Sequence, residues 1–211
     1  MASYCIHMAF AKRINEELKM DEDQIILGAV APDVCAIERN KELSHFGDAY
    51  EKADYVKFLI KYKKNLNNPF VMGYLTHIYL DQYFYNEFMA KYYKIVSGTS
   101  YTNHNTIYRD KRTGNLVEFK DIYNENGIYR DYSIINSQLR KEYDLREKYN
   151  ISLIVNPIKE IDNKKISKML AKIKQYVGQE LDGELTCFNY EELKEFLEVK
   201  KKEFLKLLKT L

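Results

Sequence analysis

Along most of the chain the apolar positions recur every three to four residues, the period of amphipathic α-helices. Met8, Ala11, Ile14 and Leu18 share one face of a predicted helix from about His7 to Lys19. Asp21 is placed to cap a second helix through Ile25, Ile26 and Ala29. That helix should end at Pro32, because proline disfavours helix at the residue before it. Residues 34–48 read as loop or one short turn, and a third helix covers roughly Ala49 to Leu66, with Tyr55, Phe58, Leu59 and Tyr62 on one face. Asn67, Asn68 and Pro69 then open the most apolar helix, which is expected to run to about Tyr93. Its apolar residues occur nearly all round, so it belongs at the centre of the molecule.

The helical period breaks between residues 97 and 127. SGTSYTNHNT reads as a polar loop, and two short β-capable runs flank Thr113, Gly114 and Asn115. They predict a small β-hairpin excursion near 105–120, close to the site. Helices resume near Ile128, after Asp162 and at Asn189, where Asn189 and Glu192 make a capping pair. Leu193, Phe196, Leu197, Phe204, Leu207, Leu208 and Leu211 continue as a stripe at helical spacing. Only 8 Gly and 3 Pro punctuate 211 residues, which favours long helices. The expectation is a single all-α domain over residues 1–211, about seven helices around one buried helix.

Composition narrows the function classes. A net charge of +2 is too small to indicate a nucleic-acid or membrane surface. No stretch approaches the roughly 20 apolar residues of a membrane span. MASYCIH has no basic start or sustained apolar run, so neither a secretory leader nor a membrane anchor is expected and the cytoplasm is the expected location. Cys5, Cys35 and Cys187 are odd in number and scattered, which argues against a disulfide framework and against a thiolate zinc knuckle. Nineteen Tyr and no Trp imply many part-buried hydroxyls in search of partners.

The candidate chemistry lies in the first half. Three of the four histidines fall within 81 residues: His7 in YCIHMAF, His45 in LSHFGD and His77 in GYLTHIYLD, with Asp81 four residues on. Asp33, in GAVAPDV, lies between the first two. On a helix His77 and Asp81 share a face, and an unpaired carboxylate among Tyr74, Ile78 and Leu80 would be costly to bury. Taken singly, each residue has a plain alternative: a His–Asp hydrogen bond in the core, a structural His7, a capping Asp33. Taken together, three His and two Asp around the most buried helix suit a divalent metal, and the lack of thiolates favours a catalytic site over a purely structural one.

The order of His7, the aspartate of LGAVAPD, the histidine of SHF and the pair in GYLTHIYLD resembles the zinc-dependent phospholipase C family, over roughly residues 5–90. The resemblance implies an all-α fold, zinc (one or two ions here, with iron or manganese as other occupants) and hydrolysis of a phosphodiester. It assigns Asp33, His45, His77 and Asp81 to one metal, with Asp81 bridging towards a second held by His7. Secreted members use an N-terminal Trp as a ligand, which has no counterpart here. They also carry further HxxxE pairs, whereas six residues after Asp81 stands Glu87, the candidate substitute ligand. His104 is read as a surface residue, and Asp131 as a helix-opening carboxylate with a speculative role at the metal. Tyr129 and Tyr132 are candidate donors to a substrate phosphate.

The leading expectation is a metal-dependent hydrolase of a small-molecule phosphoester, with Asp33 orienting the attacking water or accepting its proton. The rival is a metal-stabilised binding or regulatory protein on the same scaffold. An HD-type phosphohydrolase ranks low, because no histidine here precedes an aspartate.

Overall fold

The computed structural model describes residues 2–37, 40–47, 53–101 and 103–211. Helix α1 (Tyr4–Leu18) starts at Ser3, whose Oγ accepts from the Ile6 N–H, and stops at Lys19 in the left-handed region at φ 55°. Helix α2 (Glu22–Val34) is capped by Asp21, which accepts from Gln24, and carries Glu22 and Asp23 in its first turn where the helix dipole favours them. Pro32 does not end α2 as expected. The helix runs on to Val34, because the proline sits in the last turn, where the lost N–H is one bond among few and Cys35 N–H still closes on Ala31. That extra turn carries Asp33.

Helix α3 (Lys41–His45) is the short turn expected within 34–48, capped by Asn40. Helix α4 (Tyr55–Tyr62) tightens into a 3₁₀ turn at Lys63–Asn65; the predicted start at Ala49 lies outside the described residues. Helix α5 (Pro69–Tyr83) begins at Asn68, whose side chain accepts from the Phe70 and Val71 N–H groups. Every residue from Phe70 to Asp81 is buried, so α5 is the central helix. It is shorter than predicted as a regular helix. A π-helical segment (Phe84–Met89) and one turn, α6 (Ala90–Tyr92), follow, and at Tyr93 the chain enters strand β1 (Tyr93–Ser97).

Strands β2 (Ile107–Asp110) and β3 (Leu116–Glu118) form the expected hairpin. Strand β1 adds to it, in the antiparallel order β1-β2-β3, with Tyr93 opposite Asp110. This third strand was not foreseen, since its YKIVS sequence follows directly on a helical pattern. The remaining elements are α7 (Phe119–Ile122), α8 (Ile128–Tyr143), α9 (Ile166–Val177) and α10 (Tyr190–Leu208). Asn189 caps α10 by accepting from Glu192 N–H, but Glu192 does not reach back. Its carboxylate takes the Tyr92 hydroxyl, which itself accepts from Asn189 N–H. The architecture is therefore all-α with a small β excursion. Among the described residues, no helix is long and apolar enough to cross a membrane.

Two glycines set the closest contact in the core. A Cβ on Gly28 of α2 would overlap the Phe70 carbonyl, and one on Gly73 of α5 would overlap the Ile25 carbonyl. Facing each other without side chains, they let the backbones of α2 and α5 touch. Gly28 precedes Asp33 by about one and a half turns, and Gly73 precedes His77 by about one turn. The close crossing therefore delivers two of the candidate residues to the same place.

Candidate metal centre

Five side chains from four helices meet at the end of this crossing: His7 from α1, Asp33 from α2, His45 from α3, and His77 with Asp81 from α5. His45 Nε2 lies 3.2 Å from His77 Nε2 and 3.6 Å from Asp33 Oδ1. Asp81 Oδ2 lies 3.4 Å from His45 Nε2 and 3.5 Å from His77 Nε2. On the other side of the same carboxylate, Oδ1 stands 3.3 Å from His7 Nε2, and the His7 ring stacks on His77 with centroids 3.7 Å apart. Thus Asp81 has one oxygen towards His45 and His77, and one towards His7.

The orientation of two imidazoles is fixed from behind. His77 Nδ1 donates to the Ala29 carbonyl of α2 at 2.7 Å, and His45 Nδ1 donates to the Lys41 carbonyl at 2.9 Å. Tyr74 supports the second arrangement by donating its hydroxyl to the Ser44 carbonyl. With each Nδ1 proton committed, both Nε2 atoms present lone pairs to each other. Two acceptors held face to face repel unless a proton or a metal ion sits between them. Zinc–nitrogen bonds of about 2.0–2.1 Å in a tetrahedral site place neighbouring donors about 3.3 Å apart, the spacing found here.

Electrostatics add to this. The side chains of His7 and His77 are fully buried, and those of Asp33, Asp81 and His45 are only 2–6% exposed. Among the described residues, two carboxylates are thus buried with one lysine at their edge: Lys41 Nζ, 3.3 Å from Asp33 Oδ1. Burial alone would raise both carboxyls. Instead the imidazoles, His7 foremost, hold Asp81 well below the usual carboxylate range, and Lys41, then His77 and His45, bring Asp33 down. Burial and the adjacent His77 depress His7 to about 4, so it is a neutral donor at neutral pH. Burial also opposes charge on His77, but the bond to Asp81 and the two carboxylates outweigh it and raise its pKa. Among the described residues, both nitrogens of His7 and Asp81 Oδ1 are buried without a hydrogen-bond partner. Among the described residues, the centre is short of positive charge and of donors.

Glu87 does not join the cluster. It is exposed, on the π-helical segment, and its carboxylate sits 2.6 Å from Lys200 Nζ of α10. His104 is also apart and exposed, its ring edge-on to Phe119 at 4.5 Å. Asp131 opens α8 fully buried and accepts from the Thr186 and Cys187 N–H groups at 2.8 and 2.6 Å. It ties the segment before α10 to α8. Asp131→Ala should therefore cost about 2–4 kcal/mol in urea unfolding, since it strands two amides bonded to a charge, while leaving metal content unchanged.

Two clefts open beside the cluster and share Tyr4, Asp33, Lys41 and Gln175. Tyr129 and Tyr132 both line the larger, with residues of the 104–125 excursion, so that excursion borders the site. Sequence reasoning did not single out Lys41. Its one signal was its place four residues before His45, which on a helix puts its carbonyl under the imidazole.

Comparison with protein families, curated proteins and solved structures finds no match for this chain.

Proposed function

We propose that the protein is a metal-dependent phosphoesterase, with zinc as the leading occupant and a phosphodiester as the leading substrate. The observation that carries the metal is the pair of Nε2 atoms of His45 and His77, facing each other at 3.2 Å beside two buried carboxylates. His45, His77 and Asp81 bring donor atoms within 4.8 Å of one another and would fit one ion, while Asp33 groups in the same way with His7 and His77. The reaction class rests on the resemblance of these motifs to the zinc-dependent phospholipase C family and on the cleft that reaches Asp33. A bound divalent ion would lower the pKa of a water and polarise a phosphoryl oxygen.

The chain's own groups supply the rest. Asp33 borders the cleft and is ionised, so it can orient the attacking water or take its proton. Lys41 stands at the mouth, where its charge offsets that developing on the phosphate. The water oxygen bonds to phosphorus, the ester oxygen leaves as an alcohol, and the water's proton balances it. Three free cysteines, Cys5, Cys35 and Cys187, fit a cytoplasmic setting.

Protein purified without added metal should carry metal in stoichiometric amount, and metal-loaded protein should hydrolyse bis(p-nitrophenyl) phosphate. Asp33→Asn should lower kcat by about 100-fold or more. The near-complete burial of the donors favours a second reading, a metal that stabilises the scaffold of a binding protein. Stoichiometric metal without turnover on a broad phosphoester panel would select that reading; protein without metal would defeat both.

A further inference from the structure

The two clefts differ in character, and helix α9 runs along both. Lys168 and Lys172 of α9, with Lys165 just before it, line a groove of about 590 Å³ on one side of Asp33. Four residues further along the same face, Tyr176 lines a cleft of about 640 Å³ on the other side. Residues 168, 172, 175, 176 and 179 follow one stripe at helical spacing, so a single helix face passes from basic to aromatic and amide-bearing. Tyr4, Asp33, Lys41 and Gln175 form the junction, next to the metal centre.

The aromatic lobe has flat walls. Phe119 and Tyr123 stack at 4.2 Å, and Tyr129, nearly half exposed, meets Tyr123 edge-on. Opposite in sequence but in the same cleft, Tyr4 packs on Tyr176 at 4.7 Å. Asn136, Gln175 and Gln179 also border this lobe, with Asn136 accepting from the Ser3 hydroxyl and donating to Gln179 Oε1, and Gln175 accepting from Lys172 Nζ. A planar group with hydrogen-bonding edges matches those walls. A simple zwitterionic headgroup would leave the lysine groove without an anion.

We infer that the substrate is a nucleotide phosphodiester: its base lies among Tyr123, Tyr129 and Tyr176, the scissile phosphate at Asp33 and Lys41, and a further phosphate in the groove of Lys165, Lys168 and Lys172. This rests on the phosphoesterase reading and specifies its substrate. Nucleoside polyphosphates and short oligonucleotides share this chemistry. Hydrolysis would join the water oxygen to phosphorus and release the next group as its alcohol or phosphate.

The test uses metal-loaded protein and six probes. The p-nitrophenyl ester of thymidine 5′-monophosphate should exceed bis(p-nitrophenyl) phosphate in kcat/KM by about tenfold or more, the scale of one base–aromatic stack. Tyr129→Ala should reduce that ratio about fivefold or more. A dithymidylate with a terminal phosphate should be preferred to one without it, and Lys168→Glu should remove about fivefold of that preference. A fluorescent ADP analogue, followed by anisotropy, should bind and lose affinity with Tyr129→Ala; this binding arm needs no turnover. An ADP analogue favoured over the terminally phosphorylated dithymidylate would point to polyphosphates, the reverse to oligonucleotides. If the generic diester turns over without any nucleotide advantage, or phosphatidylcholine vesicles are preferred, this inference is overturned and the phosphoesterase reading stands. If no diester turns over, that reading falls, and the ADP binding arm alone decides whether the cleft takes nucleotides.

Discussion

Stripping metal from the purified protein with a chelator should lower its melting temperature by about 8–16 °C, the shift that about 4 kcal/mol of binding linkage produces in a domain of this size. The reasoning starts from charge. Without an ion, the Nε2 atoms of His45 and His77 at 3.2 Å need a proton between them, and among the described residues Asp33 and Asp81 are buried with Lys41 as the one lysine beside them. An ion that binds the folded cluster and not the unfolded chain removes these penalties in the native state alone. His77→Ala should abolish the difference between metal-loaded and stripped protein, because it removes the donor that faces both His45 and Asp81. It also deletes the bond to the Ala29 carbonyl, so the variant should melt below the stripped parent protein as well. Differential scanning calorimetry with parallel metal analysis separates the two effects. A wild-type melting temperature indifferent to chelation would show that the cluster is held by a proton and its own hydrogen bonds.

Gly73→Ala is expected to destabilise the fold by about 2 kcal/mol or more, although alanine is the better helix former by about 1 kcal/mol. The added methyl would overlap the Ile25 carbonyl, which is backbone and cannot rotate away. Relief requires α2 and α5 to separate, and the separation has a chemical consequence. The Ala29 carbonyl that orients His77 and the Asp33 carboxylate both ride on α2, while His77 and Asp81 ride on α5. Gly73→Ala should therefore weaken metal binding as well as lower the urea midpoint, with no change to any donor atom. A surface substitution of equal cost would leave affinity alone. Retained metal affinity in a destabilised Gly73→Ala protein would mean that the crossing supports the core but does not position the centre.

The pattern of apolar residues was enough for the helices whose faces differ strongly in polarity. For α5 the even spread of apolar side chains marked it as central, and the structure buries it throughout. Local chemistry also predicted the caps at Asp21 and Asn189, since each side chain bonds an amide three residues away. The hairpin was legible from its turn residues. Strand β1 was not, because YKIVS gains its ladder only from residues 107–110, which lie ten or more positions on.

The candidate centre divides along the same line. Residue types and the i,i+4 spacing of His77 and Asp81 were readable directly, as local geometry determines which face they share. The convergence of His7, Asp33 and His45 on that face, the donation from Ala29 that aims His77, and the exclusion of Glu87 were decided by tertiary structure. Each depends on how closely α2 and α5 approach and on where the π-helical segment turns the chain. Composition and period prescribe what a helix can bury; only the packed arrangement sets which lone pairs end up 3.2 Å apart.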